Sequence, residues 1–322
     1  MKRREAVIAL LALGTPFCVG AQAVRMRRIG ILVPTVGETD RYEAFIGGMR
    51  KFGWIEGQNL VIDRRYAEAK YDRVTALVQE LIKAGAEVIV TNSTPAVINA
   101  RKASTTIPIV AAAYADPVAS GLAASLASPG GNVTGVSIIF DGILDKMFEL
   151  AFSMVPKLSR VAFLINAGNP SSVSAAKRLG SIVLKAGATP LNFAASTPQE
   201  MDAALSSIVR ERSEALLVNA DPFLFGERQR IAAFGLKQRL PTFAQSVEFV
   251  ESGFLASYGP DFRASFSNAA SFVDRILKGA KPAELPIEQV TKLEQGINLK
   301  TARALGLQIP QSVMLRADRV IE

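Results

Sequence analysis

The chain has 322 residues, no histidine, one cysteine, 24 glycines and 16 prolines, and is 49% hydrophobic but only 20% charged. These counts exclude Ser-His-Asp and Cys-His nucleophiles, imidazole metal ligands, an intrachain disulfide and a CxxC zinc or redox site. The length suits about two domains and is ample for sizeable cores, and the hydrophobic share excludes a mainly disordered chain.

The first two dozen residues read as a secretory signal peptide spanning 1–23. Lys2, Arg3 and Arg4 form a positive start, 6–13 is an apolar run too short to span a bilayer, and Ala21-Gln22-Ala23 is a small-x-small cleavage signal. A short N-terminal anchor is the alternative, but Gly14, Pro16 and Gly20 interrupt the apolar run. Phe17 stands where a lipobox before Cys18 needs a small residue, so cleavage after Ala23 removes the cysteine. It also takes the formal charge from +8 to +6, because the segment carries three positive residues and one negative. The remaining positives are interleaved with acids, as in Asp63-Arg64-Arg65 and Glu227-Arg228, which reads as a solvated surface and not as a nucleic-acid stripe.

From Arg28 short apolar runs alternate with amphipathic helices. A strand at 29–33 precedes a helix opened by Asp40, with Tyr42, Phe45, Ile46, Met49 and Phe52 at helical spacing and Gly53 as its stop. A strand at 59–66 leads to a helix from Asp72 with a stripe of Val74, Leu77, Val78, Leu81 and Ile82. Strands at 87–91, 107–112 and 133–138 are continuous Val/Ile-rich runs, the pattern of a parallel sheet covered on both faces.

The program then repeats. Helices are expected at 142–154, 171–185, 198–212, 225–238, 247–251 and 262–277, with strands at 160–165, 189–194, 214–218, 241–244 and 253–258. Two α/β sets imply two Rossmann-like lobes with parallel sheets, and ligands in such sheets bind beyond the carboxyl ends of the strands. Facing lobes make one cleft.

Four strand ends run through small polar residues into a proline: Asn92-Ser93-Thr94-Pro95, Tyr114-Ala115-Asp116-Pro117, Asn166-Ala167-Gly168-Asn169-Pro170 and Asn219-Ala220-Asp221-Pro222. The plain reading is helix capping, with the polar residue as N-cap and proline in the first turn. The same turns expose N–H groups and a positive dipole end that suit an anion. Asn92, Ser93 and Thr94 suit a carboxylate, Asp221 suits an ammonium, and together they could hold an α-amino acid. Asn166, Asn169, Tyr114, Asp116 and Gln245 complete the candidate binding set. Tyr42, Tyr114, Phe140, Phe223 and Phe225 are candidate walls, and Trp54 in its Gly-Trp-Ile-Glu-Gly turn reads as structural. The chain has no P-loop, no GxGxxG after the first strand and no GxSxG elbow, and Pro129-Gly130-Gly131-Asn132 reads as a turn. No metal site, cofactor or catalytic pair is nominated.

The chain resembles, over nearly all of its mature length, the ABC transporter substrate-binding proteins that include tryptophan-binding receptors and have the type I periplasmic-binding fold. Phe52-Gly53-Trp54-Ile55-Glu56-Gly57-Gln58-Asn59, Asp116-Pro117-Val118-Ala119-Ser120-Gly121-Leu122, Pro129-Gly130-Gly131-Asn132-Val133-Thr134-Gly135 and the stretch 276–286 carry the resemblance, completed by Asn298-Leu299-Lys300-Thr301-Ala302 and Ala304-Leu305-Gly306-Leu307. It implies a monomeric periplasmic receptor that closes two lobes over a small molecule and delivers it to an inner-membrane permease, with no chemistry of its own and no nucleic-acid partner. Thr94 is the implied anion anchor and Asp221 the ammonium partner; relatives carry a glycine-rich turn before the threonine, where this chain has Asn92-Ser93. The expected lobes are 24–140 with 252–285 and 141–251 with 286–322, hinged at 138–142, 247–253 and 279–286. The alternatives are a sensory receptor feeding a chemoreceptor or sensor kinase, and an enzyme using carboxylates and lysine.

Overall fold

A computed structural model of the chain describes residues 26–35, 40–139, 142–155 and 157–322. The proposed signal peptide and Phe140 lie outside the described residues. The first half runs β1 (Arg27–Val33), α1 (Asp40–Lys51), β2 (Leu60–Tyr66), α2 (Val74–Lys83), β3 (Val88–Thr91), α3 (Thr94–Ala103), β4 (Ile109–Ala115) and β5 (Val133–Ile138). The second runs α4 (Ile143–Met154), β6 (Arg160–Ile165), α5 (Pro170–Lys185), β7 (Thr189–Ala194), α6 (Pro198–Arg210), β8 (Ala215–Val218), α7 (Pro222–Gly226), α8 (Arg228–Lys237), β9 (Thr242–Ala244), α9 (Val247–Glu251) and β10 (Ala256–Pro260). The tail adds α10 (Phe262–Leu277), β11 (Glu288–Gln289), β12 (Leu293–Asn298), α11 (Leu299–Leu305), α12 (Gln311–Met314) and β13 (Arg319–Ile321).

The strands form two sheets, ordered β11-β5-β4-β3-β1-β2 and β13-β12-β10-β9-β8-β6-β7. Among the described residues, every strand pairing is parallel except that of β10 with β12. The central strands of each sheet are buried on both faces. In the first, Ile29, Ile31 and Val33 pack toward α1 and α10, while Leu32 and Ile89 pack toward α2 and α3. In the second, Phe163 and Leu217 lie in one core layer, and Leu164 and Leu216 in the other. That is why the central strands read as continuous apolar runs and not as alternating ones.

Local chemistry starts the helices as the strand-end motifs suggest. Asn169 Oδ1 accepts Ser171 N–H with Pro170 in the first turn, Thr197 accepts Glu200 N–H, and Asp261 accepts Ala264 N–H. Asp116-Pro117 departs from the pattern. No helix follows it, and β4 extends to Ala115, past the expected end at 112. The expected helix at 225–238 is two, α7 and α8, with Asp221 capping the first.

The lobe boundaries also differ from expectation. Residues 252–260 stay with the second lobe, because β10 pairs with β9 and β12, and the chain first crosses to α10 at Asp261. α10 packs on α1 of the first lobe, and Glu288 and Gln289 pair with β5 there, so the return to the second lobe comes after 289 and not at 286. The three crossings therefore run from β5 to α4, from β10 to α10 and from β11 to β12. The stretch 247–253, expected as hinge, is α9 and its end, in contact with β10 and β12.

Candidate functional site

The carboxyl ends of β3 and β4 face those of β6 and β8 across a pocket between the lobes. Asn92, Ser93, Thr94 and Tyr114 line it from the first lobe, and Asn169 and Asp221 from the second. Of the expected walls, Tyr42, Tyr114 and Phe225 are present, joined by Phe249, Phe262 and Phe266, which the strand-end motifs do not reveal. Phe223 borders a neighbouring groove instead. Tyr42 and Phe266 meet edge to face with centroids 5.0 Å apart, as do Phe225 and Phe249 at 5.7 Å.

Asp221 is only 1% exposed. Its Oδ1 accepts Asn166 Nδ2–H at 2.9 Å and Phe223 N–H at 2.8 Å, and its Oδ2 accepts Asn169 Nδ2–H at 2.8 Å and the Tyr71 hydroxyl at 3.1 Å. Burial pushes its pKa up, against the pull of these four donors. The cap and the charged group are thus the same residue. Asn166 lies behind it, held by Gly168 N–H and Ser196. Gln245, fully buried, orients the same turn through Asn219 Nδ2–H and Ala220 N–H.

The first-lobe side divides differently from expectation. The Thr94 hydroxyl is engaged within the protein: it bonds Ala115 N–H at 3.0 Å and the Ala115 carbonyl at 3.2 Å, and Ser171 Oγ lies 2.8 Å away across the cleft. Ser93 and Tyr114 have buried hydroxyls that make no hydrogen bond, and the phenol is held protonated by its burial. Ser93 leads into α3 at φ 70 and ψ 143 without a side-chain cap bond, in a region that glycine occupies at least cost. Where a glycine-rich turn is expected of relatives, this chain has a serine in a backbone conformation that favours glycine. Tyr114 follows a register shift between β4 and β5, and Gly135 at φ 127 makes room for it: a Cβ there would stand 2.2 Å from the Ala111 carbonyl oxygen.

Asp116 does not join this set. It is exposed, sits at φ 45, and its carbonyl accepts Ser120 N–H and Oγ–H, so it shapes the turn after β4. Trp54 is structural: its indole N–H donates to Asp274 at 2.9 Å and its ring packs on the first core.

Sequence reasoning missed the groups that span the cleft. Arg41 of α1 donates to Glu248 of α9 at 2.8 Å and to Ser246 Oγ at 3.3 Å, with its guanidinium 4.2 Å from the Phe225 centroid and 4.1 Å from that of Phe262. Burial alone would raise the Glu248 pKa, but the Arg41 charge and hydrogen bond hold it down to about 2. Arg263 adds a more exposed bridge, to Asp40 of α1 and to Glu251 of α9 at 3.0 Å. Arg41 and Glu248 lie 207 positions apart, and no local motif marks the pair.

No helix of the described residues is long and apolar enough to cross a membrane. The chain is 27% identical over 266 residues to a tyrosine-binding protein of Clostridioides difficile, covering 83% of this chain and 76% of the relative. Among solved structures, it matches an ABC domain in complex with L-Trp from Streptococcus pneumoniae with a TM-score of 0.85 and 26% identity, covering 92% of this chain and all of that one. A leucine-binding protein from Thermotoga maritima, 13% identical with a TM-score of 0.57 over 79% of this chain and 83% of its own, shares the fold alone. The fold is that of the type I periplasmic-binding proteins. A family model described as ABC transporter substrate binding protein matches residues 29–321, and the chain belongs to that family of binding proteins, not enzymes.

Proposed function

We propose that this protein is exported to the periplasm and, as a monomer, captures an α-amino acid with an aromatic or apolar side chain between its lobes for delivery to an ABC permease in the inner membrane. The observation that carries the reading is polarity on the two facing lobes of an aromatic pocket: the buried Asp221 carboxylate on one lobe, and two buried hydroxyls without partners, Ser93 and Tyr114, on the other. A buried charge is costly unless it is matched, and an ammonium matches Asp221. A carboxylate suits Ser93, Tyr114 and the first turn of α3. The tyrosine-binding relative and the L-Trp complex support the same ligand class. Thr94, Asn92 and Asn169 then shape the walls, and Asn166 and Gln245 hold Asp221 and its turn from behind.

Mass spectrometry of small molecules released by denaturing the purified protein tests the ligand. An amino acid is expected, and a sugar or nucleoside would contradict the reading. Disrupting the gene should abolish uptake of the identified amino acid. Intact uptake with lost chemotaxis would favour a sensory receptor instead.

A further inference from the structure

The four donors on Asp221 occupy the roughly four acceptor positions of a carboxylate. Three of them belong to the second lobe and are built into its turns. The fourth, the Tyr71 hydroxyl, comes from the first lobe, from the turn ahead of α2, and makes the longest of the four bonds, at 3.1 Å. An ammonium arriving at Asp221 needs one of these positions, and Tyr71 is the donor that can leave without unfolding a turn. The Ser93 hydroxyl lies near enough to the phenol to pull its pKa down against burial, so Tyr71 has a neutral acceptor to turn to.

We propose that Tyr71 is an internal stand-in for the ligand's ammonium: it holds one of the four positions on Asp221 from the facing lobe and is displaced by the α-amino group of a bound amino acid. This rests on the amino-acid reading above. Displacement exchanges a bond to a charged acceptor for one to a neutral hydroxyl, so Tyr71 lowers apparent affinity for amines and sets a threshold that a ligand without the amine never meets. Burial and the neighbouring Asp221 charge both keep the phenol protonated, which makes it a donor and not a second anion at this position.

The test uses the mature chain, unfolded and refolded to strip carried-over ligand, with calorimetric titrations of L-tryptophan, L-tyrosine, L-phenylalanine and L-leucine and of the matching acids that lack the amine. In Tyr71→Phe the tightest-binding amino acid should bind roughly three- to ten-fold tighter than in wild type, while its deaminated partner binds unchanged. In wild type carrying tyrosine labelled at Cζ, the Tyr71 resonance should shift with the amino acid and stay in place with the deaminated acid. Equal or weaker amino-acid binding in a Tyr71→Phe variant with a native circular dichroism spectrum, or an unmoved Tyr71 resonance at saturation, overturns the proposal. Asp221→Asn separates the two levels. If it binds amino acids like wild type, or if none of the four binds wild type, the amino-acid reading itself fails, and the role of Tyr71 falls with it.

Discussion

Arg41 and Glu248, 207 positions apart in the chain, meet at 2.8 Å in the cleft, with the guanidinium over the rings of both Phe262 of the first lobe and Phe225 of the second. The pair exists only when the lobes are together, so its free energy counts toward closure. Arginine suits the position because its planar fork bonds and stacks at once, which lysine cannot do.

Glu248→Gln leaves the Arg41 charge buried and half-partnered. Closure should weaken, with amino-acid affinity lower by about 1–3 kcal/mol and a more expanded protein by small-angle X-ray scattering. The pH dependence follows from the lowered pKa. A carboxyl that ionises near 4.5 when free and at about 2 when paired contributes fully above 4.5 and loses its contribution as pH falls toward 2. Closure through this pair should therefore hold through mildly acidic conditions.

Asp221 has the opposite sign. Its folded pKa is raised from 3.8, so its contribution to stability is greatest below that value and declines as pH rises through the folded pKa. Amino-acid binding needs the ionised form, so affinity should fall on acidification before the Glu248 pair is lost. Titrations in two buffers of different ionisation enthalpy should reveal proton release on binding at the acidic end, and Asp221→Asn should abolish it.

Ser93→Gly relieves the positive φ while removing the hydroxyl, whereas Ser93→Ala removes the hydroxyl and keeps the strain. The glycine variant should be more stable than the alanine variant by about 1 kcal/mol in thermal unfolding. Both should bind amino acids more weakly than wild type by roughly 0.5–3 kcal/mol if Ser93 donates to the ligand carboxylate.

Gly135→Ala forces a Cβ against the Ala111 carbonyl at a backbone conformation that disfavours it. A loss of about 2–4 kcal/mol in denaturant unfolding is expected, together with weaker binding, because the same register shift positions Tyr114.

What the sequence made legible was local. Apolar runs and capping prolines located the strands, and the polar strand ends put Asn92, Ser93, Thr94, Asn169 and Asp221 at one pocket. Asp116 shares the motif but not the place, because β4 runs three residues beyond its expected end and the turn that follows is exposed. Thr94 reaches the pocket with its hydroxyl engaged by Ala115 and Ser171, a pairing fixed by tertiary packing. The contacts of Arg41 with Glu248 and of Tyr71 with Asp221 form only where the two lobes face each other, and a single sequence carries no mark of that juxtaposition. The crossing at Asp261 was hidden for a related reason: β10 and α10 are adjacent in sequence but belong to different lobes.

The central claim, that the cleft recognises the ammonium of an amino acid through Asp221, is tested most directly by calorimetry on the stripped, refolded protein. The account predicts that one of the aromatic or apolar L-amino acids binds in a one-to-one complex at least ten-fold tighter than its deaminated analogue, and that Asp221→Asn removes this preference. Equal affinity for the two, or a preference that survives Asp221→Asn, would contradict it.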